Sequence, residues 1–332
     1  MSIFYLYMLS RNIKLVKGVF CGIVLLISPL LHAKTPGHTM DFPSEYVTVN
    51  GVNLHVIESG EGQAMLFLHG YPFFGAGWQP LLKRFKSTHH VIAPDNRGYA
   101  YSDKPQGVNQ YHISKLVDDV LGLINTYSKD RKVILVGHDW GGTLAWTVAQ
   151  VYPGHIEKVI AINAPPLNVL LKSLATIPEQ QKASSYMEIL KSDRVEEHFS
   201  KLGPEILWRY GFDKMQDRGY INQDYKDAFF DAWRQPGTIR AALNWYRANL
   251  PAINDIKDEI YWPDKNARVT IPSLLITSEN EKVFVPETFA LISEYVDNLA
   301  IEVIPNAGHT PYFEQPDEVE AAIRAFIEPQ PR

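Results

Sequence analysis

Ten residues constrain the fold of this chain more than any others: Val-Ile-Leu-Val-Gly-His-Asp-Trp-Gly-Gly at 133–142. The apolar run at its start has the length and continuity of a strand buried on both faces. Leu144, Ala145, Val148 and Ala149 then fall on one helical face. Between strand and helix stands Gly-x-Asp-x-Gly. Glycines at 137 and 141 relieve crowding at a sharp turn and hold Asp139 in a strained conformation with its side chain exposed. The backbone N–H of Trp140 would point at the same spot from the helix N-terminus. A plain glycine-rich turn with an Asp cap is the bland alternative, and the companion motifs below weigh against it.

The residue at the apex sets the chemistry. A serine must lose a proton before it attacks, whereas Asp139 is already ionised at neutral pH. A carboxylate is a poor nucleophile toward esters and amides, but it can displace a leaving group at a saturated carbon. The product is an alkyl ester of Asp139. Water then attacks the ester carbonyl, so a histidine is needed only in this second step. Asp in place of Ser therefore argues against an ordinary esterase or lipase and for cleavage of carbon–oxygen or carbon–halogen bonds.

The rest of the chain repeats the same alternation. Residues 45–59 alternate around Asn50-Gly51, a hairpin signal. Short apolar runs follow at 65–70, 90–95, 133–138, 159–164, 274–279 and 301–306, each read as a strand buried on both faces. Helical faces separate them, as with Ile113, Leu116, Val117, Val120, Leu121 and Ile124. This predicts an α/β fold with a mostly parallel sheet and helices on both faces. From about Pro166 to Arg268 the strand pattern stops, and Trp- and Tyr-rich short helices replace it. The expected organisation is a sheet domain in two parts, 34–166 and 269–332, with a helical cap at 167–268 inserted between two strands.

Three further segments supply partners for Asp139. Ala-Gly-His-Thr-Pro at 307–311 follows the last strand, and a loop histidine there, His309, is the expected general base. The acid that orients it should follow the preceding strand, where Glu279 and Glu281 both stand. Glu281 is preferred because it lies in the loop proper, with Glu279 left open. His69-Gly70-Tyr71-Pro72 follows an early strand, and the N–H of Tyr71 is the expected second oxyanion donor beside that of Trp140. Pro72 would fix the loop, a cis bond being one way to do so. In the cap, Tyr186 and Tyr246 carry phenols able to donate a hydrogen bond to a leaving oxygen. For an arbitrary tyrosine of a helical lid, core packing is the ordinary role. The aromatic cap residues Trp208, Tyr210, Trp233 and Trp245 suggest an apolar substrate.

At this point the chain resembles the epoxide hydrolases of the α/β-hydrolase fold. HGYP at 69–72 looks like that family's HGxP motif and GHDWGG at 137–142 like its nucleophile motif. LNWYR at 243–247 matches the lid segment with one ring-opening tyrosine, and Tyr186 matches the other. The resemblance implies a small apolar epoxide and water as substrates, a vicinal diol product, no cofactor and no metal. The chain departs from the family's pattern in three places. Ala100 stands where relatives commonly have Gly, and Glu281 is one methylene longer than the usual Asp. The exported bacterial subgroup typically carries a His–Tyr pair in the lid and its acid after an earlier strand, where this chain has Asn163. Dehalogenases on the same scaffold are the main rival. Haloalkane dehalogenases usually carry Asn where Tyr71 sits, and fluoroacetate dehalogenases place Arg after the nucleophile; here those positions are Tyr71, Trp140 and Thr143. A non-catalytic ligand-binding relative is the reading from another class, and such proteins usually lack a member of the triad.

The N-terminus reads separately. Arg11, Lys14 and Lys17 precede an apolar run from Val19 to Leu31, followed by Leu31-His32-Ala33. This is the pattern of a signal peptide over residues 1–33. The run is short of the about 20 residues a spanning helix needs, and an uncleaved anchor is the alternative. The expectation is an exported, periplasmic or secreted protein with no membrane insertion after cleavage. The single cysteine, Cys21, lies in this segment. Bulky Phe20 before it argues against a lipid anchor. A net charge of −5 with no Lys/Arg run gives no support to nucleic-acid binding.

Overall fold

The structure, a computed structural model, describes residues 41–257 and 260–328. The signal-peptide segment, 1–33, lies outside the described residues. An eight-stranded sheet forms the core: β1 (Ser44–Val49), β2 (Val52–Ser59), β3 (Gln63–Leu68), β4 (His89–Pro94), β5 (Val133–His138), β6 (Ile156–Ile162), β7 (Ser273–Ser278) and β8 (Leu299–Ile304). Their order is β1-β2-β4-β3-β5-β6-β7-β8. β2 runs antiparallel to β1 and β4, and all other neighbours are parallel. The β1–β2 turn has positive φ at Asn50 and Gly51, the geometry that a two-residue hairpin of matching twist requires.

β5, at the centre, is buried along its whole length. β8 is not: Ile301 and Val303 are 51% and 54% exposed. Its apolar run predicted burial on both faces, but β8 is the last strand of the sheet and has one neighbour only. Sequence shows that a strand can be buried; its place in the sheet decides whether it is.

Helices Ile113–Tyr127, Trp140–Val151 and Pro316–Ile327 stand where the 3.6-residue periodicity places them. Between β6 and β7 the described residues contain helices and no strand, from Leu167–Thr176 to Thr238–Asn249, with a last short turn at Ile253–Asp255. This cap is pegged to loops of the core. The indole N–H of Trp233 donates to Pro72 O (2.7 Å) and that of Trp245 to Arg97 O (3.0 Å). Asn249 accepts from Ile113 N (2.7 Å) and donates to Tyr111 O (2.9 Å). Trp208, Phe212, Phe229 and Trp233 pack on one another, and Phe73 of the core enters the cluster at 5.2 Å from Phe212. Among the described residues no helix is long and apolar enough to cross a membrane.

Candidate active site

Asp139 sits between β5 and the helix Trp140–Val151, with φ 52° and ψ −125°. A non-glycine residue in this region is strained by about 1–3 kcal/mol, so the surroundings must enforce it. They do so by close approach. A Cβ at Gly137 would lie 2.3 Å from Gly141 O, and one at Gly70 would lie 2.2 Å from Asp139 Oδ1. Only hydrogen atoms fit at these two positions. The Asp139 side chain makes no capping bond to its own helix and points into the site.

Oδ1 of Asp139 accepts from the N–H of Tyr71 at 2.8 Å. Oδ2 lies 3.7 Å from Nε2 of His309. Burial opposes ionisation of Asp139, but the neighbouring His309 and the N–H of Trp140 outweigh it and hold the carboxyl below its usual pKa. Of the two expected donors, the N–H of Tyr71 is hydrogen-bonded to this carboxylate, and that of Trp140 helps to keep it ionised.

Nδ1 of His309 lies 2.7 Å from Oε2 of Glu281. The other carboxylate oxygen accepts from the N–H groups of Val283 and Phe284. The extra methylene of Glu281 does not prevent contact, because these loop N–H groups turn the carboxylate back toward the imidazole. Glu279 accepts from Asn306 N (2.8 Å) instead. Burial alone would lower the pKa of His309, but Glu281 and Asp139 on either side push it up to about 10. With both carboxylates ionised, His309 is an imidazolium at neutral pH.

Tyr246, on Thr238–Asn249, is 2% exposed, with its ring edge-on to Trp140 (5.2 Å) and Tyr71 (5.6 Å). Tyr186, on Ser185–Leu190, lies on the cavity wall. Burial, with the negative charge of Asp139 added, raises both phenols well above their usual pKa. Both stay protonated and can donate. The cavity has a volume of about 690 Å³ and is lined by Tyr71, Phe73, Tyr186, Leu190, Phe199 and His309 among others, a size typical of small-molecule sites. A second groove of about 670 Å³ runs along Gly107, Pro204, Gly237 and Asn244, shares Phe199 with the first, and holds neither Asp139 nor His309. Among the described residues no group of three or more His, Cys, Asp or Glu side chains is arranged to hold a metal ion.

An alpha/beta hydrolase family model matches residues 65–322. An AB hydrolase superfamily protein of Bacillus subtilis is 38% identical over 61% of this chain and 72% of its own. Epoxide hydrolase 3 of Xenopus tropicalis is 32% identical over 84% of this chain and 75% of its own. The chain belongs to the epoxide hydrolase family of α/β-hydrolases. A solved epoxide hydrolase of Bacillus megaterium, in complex with an inhibitor, superposes with a TM-score of 0.80 at 33% identity, covering 85% of this chain and 99% of that one. A variant of that enzyme, matching equally well, is solved with its product, a naphthyloxy-propane diol.

Within this epoxide hydrolase framework the structure brings together Asp139, His309, Glu281, Tyr186, Tyr246 and the N–H groups of Tyr71 and Trp140. His69 is a brace. Its Nδ1–H donates to Gly70 O (3.0 Å), its Nε2 accepts from Asn96 N (2.9 Å), and burial keeps it neutral, with its pKa pushed down to about 4. The Tyr71–Pro72 bond is cis. Ala100 keeps a positive φ of 39°, so the backbone that glycine would favour is retained.

Two residues of the site escaped sequence reasoning. His138 donates from Nε2 to His309 O (2.8 Å), while Tyr312 OH approaches its Nδ1 at 3.3 Å. Burial pushes its pKa down to about 3, so it is a neutral clamp on the base loop. Asn163, with φ 45° at the end of β6, donates to Gly308 O, His309 O and Ser278 Oγ. An Asn at a strand end, where it tolerates positive φ, is the sequence signal for this role. The cap indoles need a correction. Trp208, Trp233 and Trp245 are at most 5% exposed and do not line the cavity. Its apolar wall comes from Phe73, Leu190, Phe199, Leu207, Phe212 and Met215.

Proposed function

We propose that this protein converts an epoxide to a vicinal diol through an alkyl ester of Asp139. One observation carries the reading: an ionised carboxylate at the elbow shares its site with two protonated phenols and a histidine–glutamate pair. Oδ1 is engaged by Tyr71 N–H, so Oδ2 is the oxygen that attacks a ring carbon. The carbon–oxygen bond of the ring breaks, and Tyr186 or Tyr246 gives its proton to the departing alkoxide.

Esterification removes one of the two negative charges that hold the proton on His309. The imidazolium then becomes acidic enough to yield that proton, which restores the phenolate to a phenol, and the neutral ring takes one from water. Hydroxide character develops at the ester carbonyl, and the tetrahedral oxyanion lies against the N–H groups of Tyr71 and Trp140. One such donor is typically worth about 10²–10³ in rate. Collapse frees the diol and restores the Asp139 carboxylate, and the proton taken from water leaves His309 an imidazolium again. The same carboxylate thus keeps the base idle until there is an ester to hydrolyse.

Diol formation across an epoxide panel, starting with the aryloxy epoxide that corresponds to the diol bound by the Bacillus megaterium variant, tests the activity. A single turnover in heavy-oxygen water tests the mechanism. Label is expected in the Asp139 carboxylate, and label found wholly in the diol overturns the scheme. The pattern at residues 1–33 supports a second proposal, that the protein acts outside the cytoplasm. The N-terminal sequence of protein recovered from the periplasm or medium tests that.

A further inference from the structure

The base loop is held on both sides of His309 by one residue that the scheme does not use. Glu314 closes the short helix Pro311–Glu314, which starts just after the loop, and its side chain turns back along the cavity wall. One carboxylate oxygen accepts from the N–H of Gly308 at 2.8 Å. The other accepts from the N–H of Thr310 at 3.2 Å and from its hydroxyl at 3.1 Å. A Cβ at Gly308 would stand 3.3 Å from one of these oxygens and 3.4 Å from the other, so the glycine leaves the carboxylate room to close on the loop.

An acid in the first turn of a helix commonly reaches back to the N–H of the capping residue, and the bonds to Thr310 alone would be a helix cap. The bond to Gly308 goes further, past His309, and takes hold of the backbone on its far side. The loop carbonyls are already engaged, that of His309 by His138 and Asn163 and that of Gly308 by Asn163. With Glu314 added, the peptide that follows the imidazole, His309–Thr310, is fixed at both its carbonyl and its N–H. Nε2 of His309 stands 3.7 Å from Asp139 Oδ2, beyond hydrogen-bond reach. Its aim at the nucleophile therefore depends on where the loop holds the ring.

We propose that Glu314 is a positioning residue for hydrolysis of the ester. By gripping the backbone on both sides of His309 it keeps Nε2 directed at the water that attacks the Asp139 ester. Alkylation needs the Asp139 carboxylate and the phenols, whereas hydrolysis also needs a correctly aimed base, and such geometry tolerates little error. Loss of the grip therefore slows the second step and spares the first. The role rests on the two-step reading above and adds a residue to its second half.

The test compares the wild type with Glu314→Ala and Glu314→Gln on the panel epoxide that the wild type consumes fastest. Glutamine has one acceptor oxygen where the carboxylate has two, so it holds one side of the loop and releases the other. Hydrolysis of the ester is expected to slow by about 10- to 10²-fold in Glu314→Ala. In Glu314→Gln it should slow by roughly three- to tenfold, the worth of one hydrogen bond. Pre-steady-state alkylation should stay close to wild type in both. Intact mass at steady state should then show the ester accumulating, and kcat and KM should fall together. A residue that served stability alone would lower the fraction of active enzyme and leave KM and the ester level per active enzyme unchanged. Alkylation slowed as much as hydrolysis, or no build-up of ester in either variant, overturns the role. The glutamine variant, which keeps the shape of the side chain, decides the matter should the alanine variant fail to fold. If the wild type consumes no epoxide at all, the functional reading fails and the role with it.

Discussion

The core and the cap each contribute acidic or basic groups to one cavity, and they hold them by different means. In the core every reacting group stands at a strand end and is tied down by hydrogen bonds. Asp139 is forced into its elbow and anchored by Tyr71 N–H. His309 is gripped at Nδ1 by Glu281 and at its backbone carbonyl by His138 and Asn163. In the cap, Tyr246 rides on a helix tied to the core through Trp245 and Asn249, and Tyr186 on a separate short helix, Ser185–Leu190. Core groups are positioned by backbone geometry and cap groups by packing. A nucleophile and its base tolerate little misplacement, whereas two donors of the same kind can share a load. Losses in the core should therefore be severe and losses in the cap graded.

The largest effect should come from the elbow. Asp139→Asn is expected to lower turnover by at least about 10⁴-fold, with no covalent adduct by intact-mass measurement. An adduct in this variant would place the nucleophile elsewhere. His309→Gln should lower turnover by about 10²–10⁴-fold while leaving alkylation intact. Mixing it with a substrate that the wild type consumes should therefore add the substrate mass to the protein.

The cap comes next. Tyr246→Phe and Tyr186→Phe should each slow alkylation by about 10- to 10²-fold, and the double variant by more than the product of the two, because either phenol alone can still protonate the oxygen. Pre-steady-state measurement of adduct formation reads this directly. A single cap variant as damaging as Asp139→Asn would break the contrast between the regions. His138→Phe should be milder in rate, about tenfold in kcat with KM little changed. It should also cost about 0.5–1.5 kcal/mol of stability in chemical denaturation, because His309 O loses one of its two buried donors.

The smallest effect is a pH dependence. The folded protein holds the His309 proton up to about pH 10, whereas an unfolded chain releases it near 6.5. The stabilisation from its pairing is complete below pH 6.5 and is lost as pH rises toward 10. Glu281 and Asp139, with lowered pKa values, act in the opposite sense and lose their share in acid. The stability difference between wild type and His309→Gln should therefore shrink between pH 6.5 and 10. A constant difference would mean that the carboxylates do not hold the proton.

What was legible in the chain was whatever is encoded within one turn or one periodic segment. The hairpin at Asn50-Gly51, the alternation of strand and helix, the elbow at Asp139 and the loop base at His309 are local patterns, because φ/ψ demands and burial periodicity act over a few residues. Tertiary structure decided the rest. It chose Glu281 over Glu279 by the way one loop folds back. It left β8 at an edge, made pegs of the cap indoles, and joined His138 to His309 across 171 residues. Contacts between residues far apart in the chain exist only once the sheet and cap have closed on each other, so no local pattern can announce them.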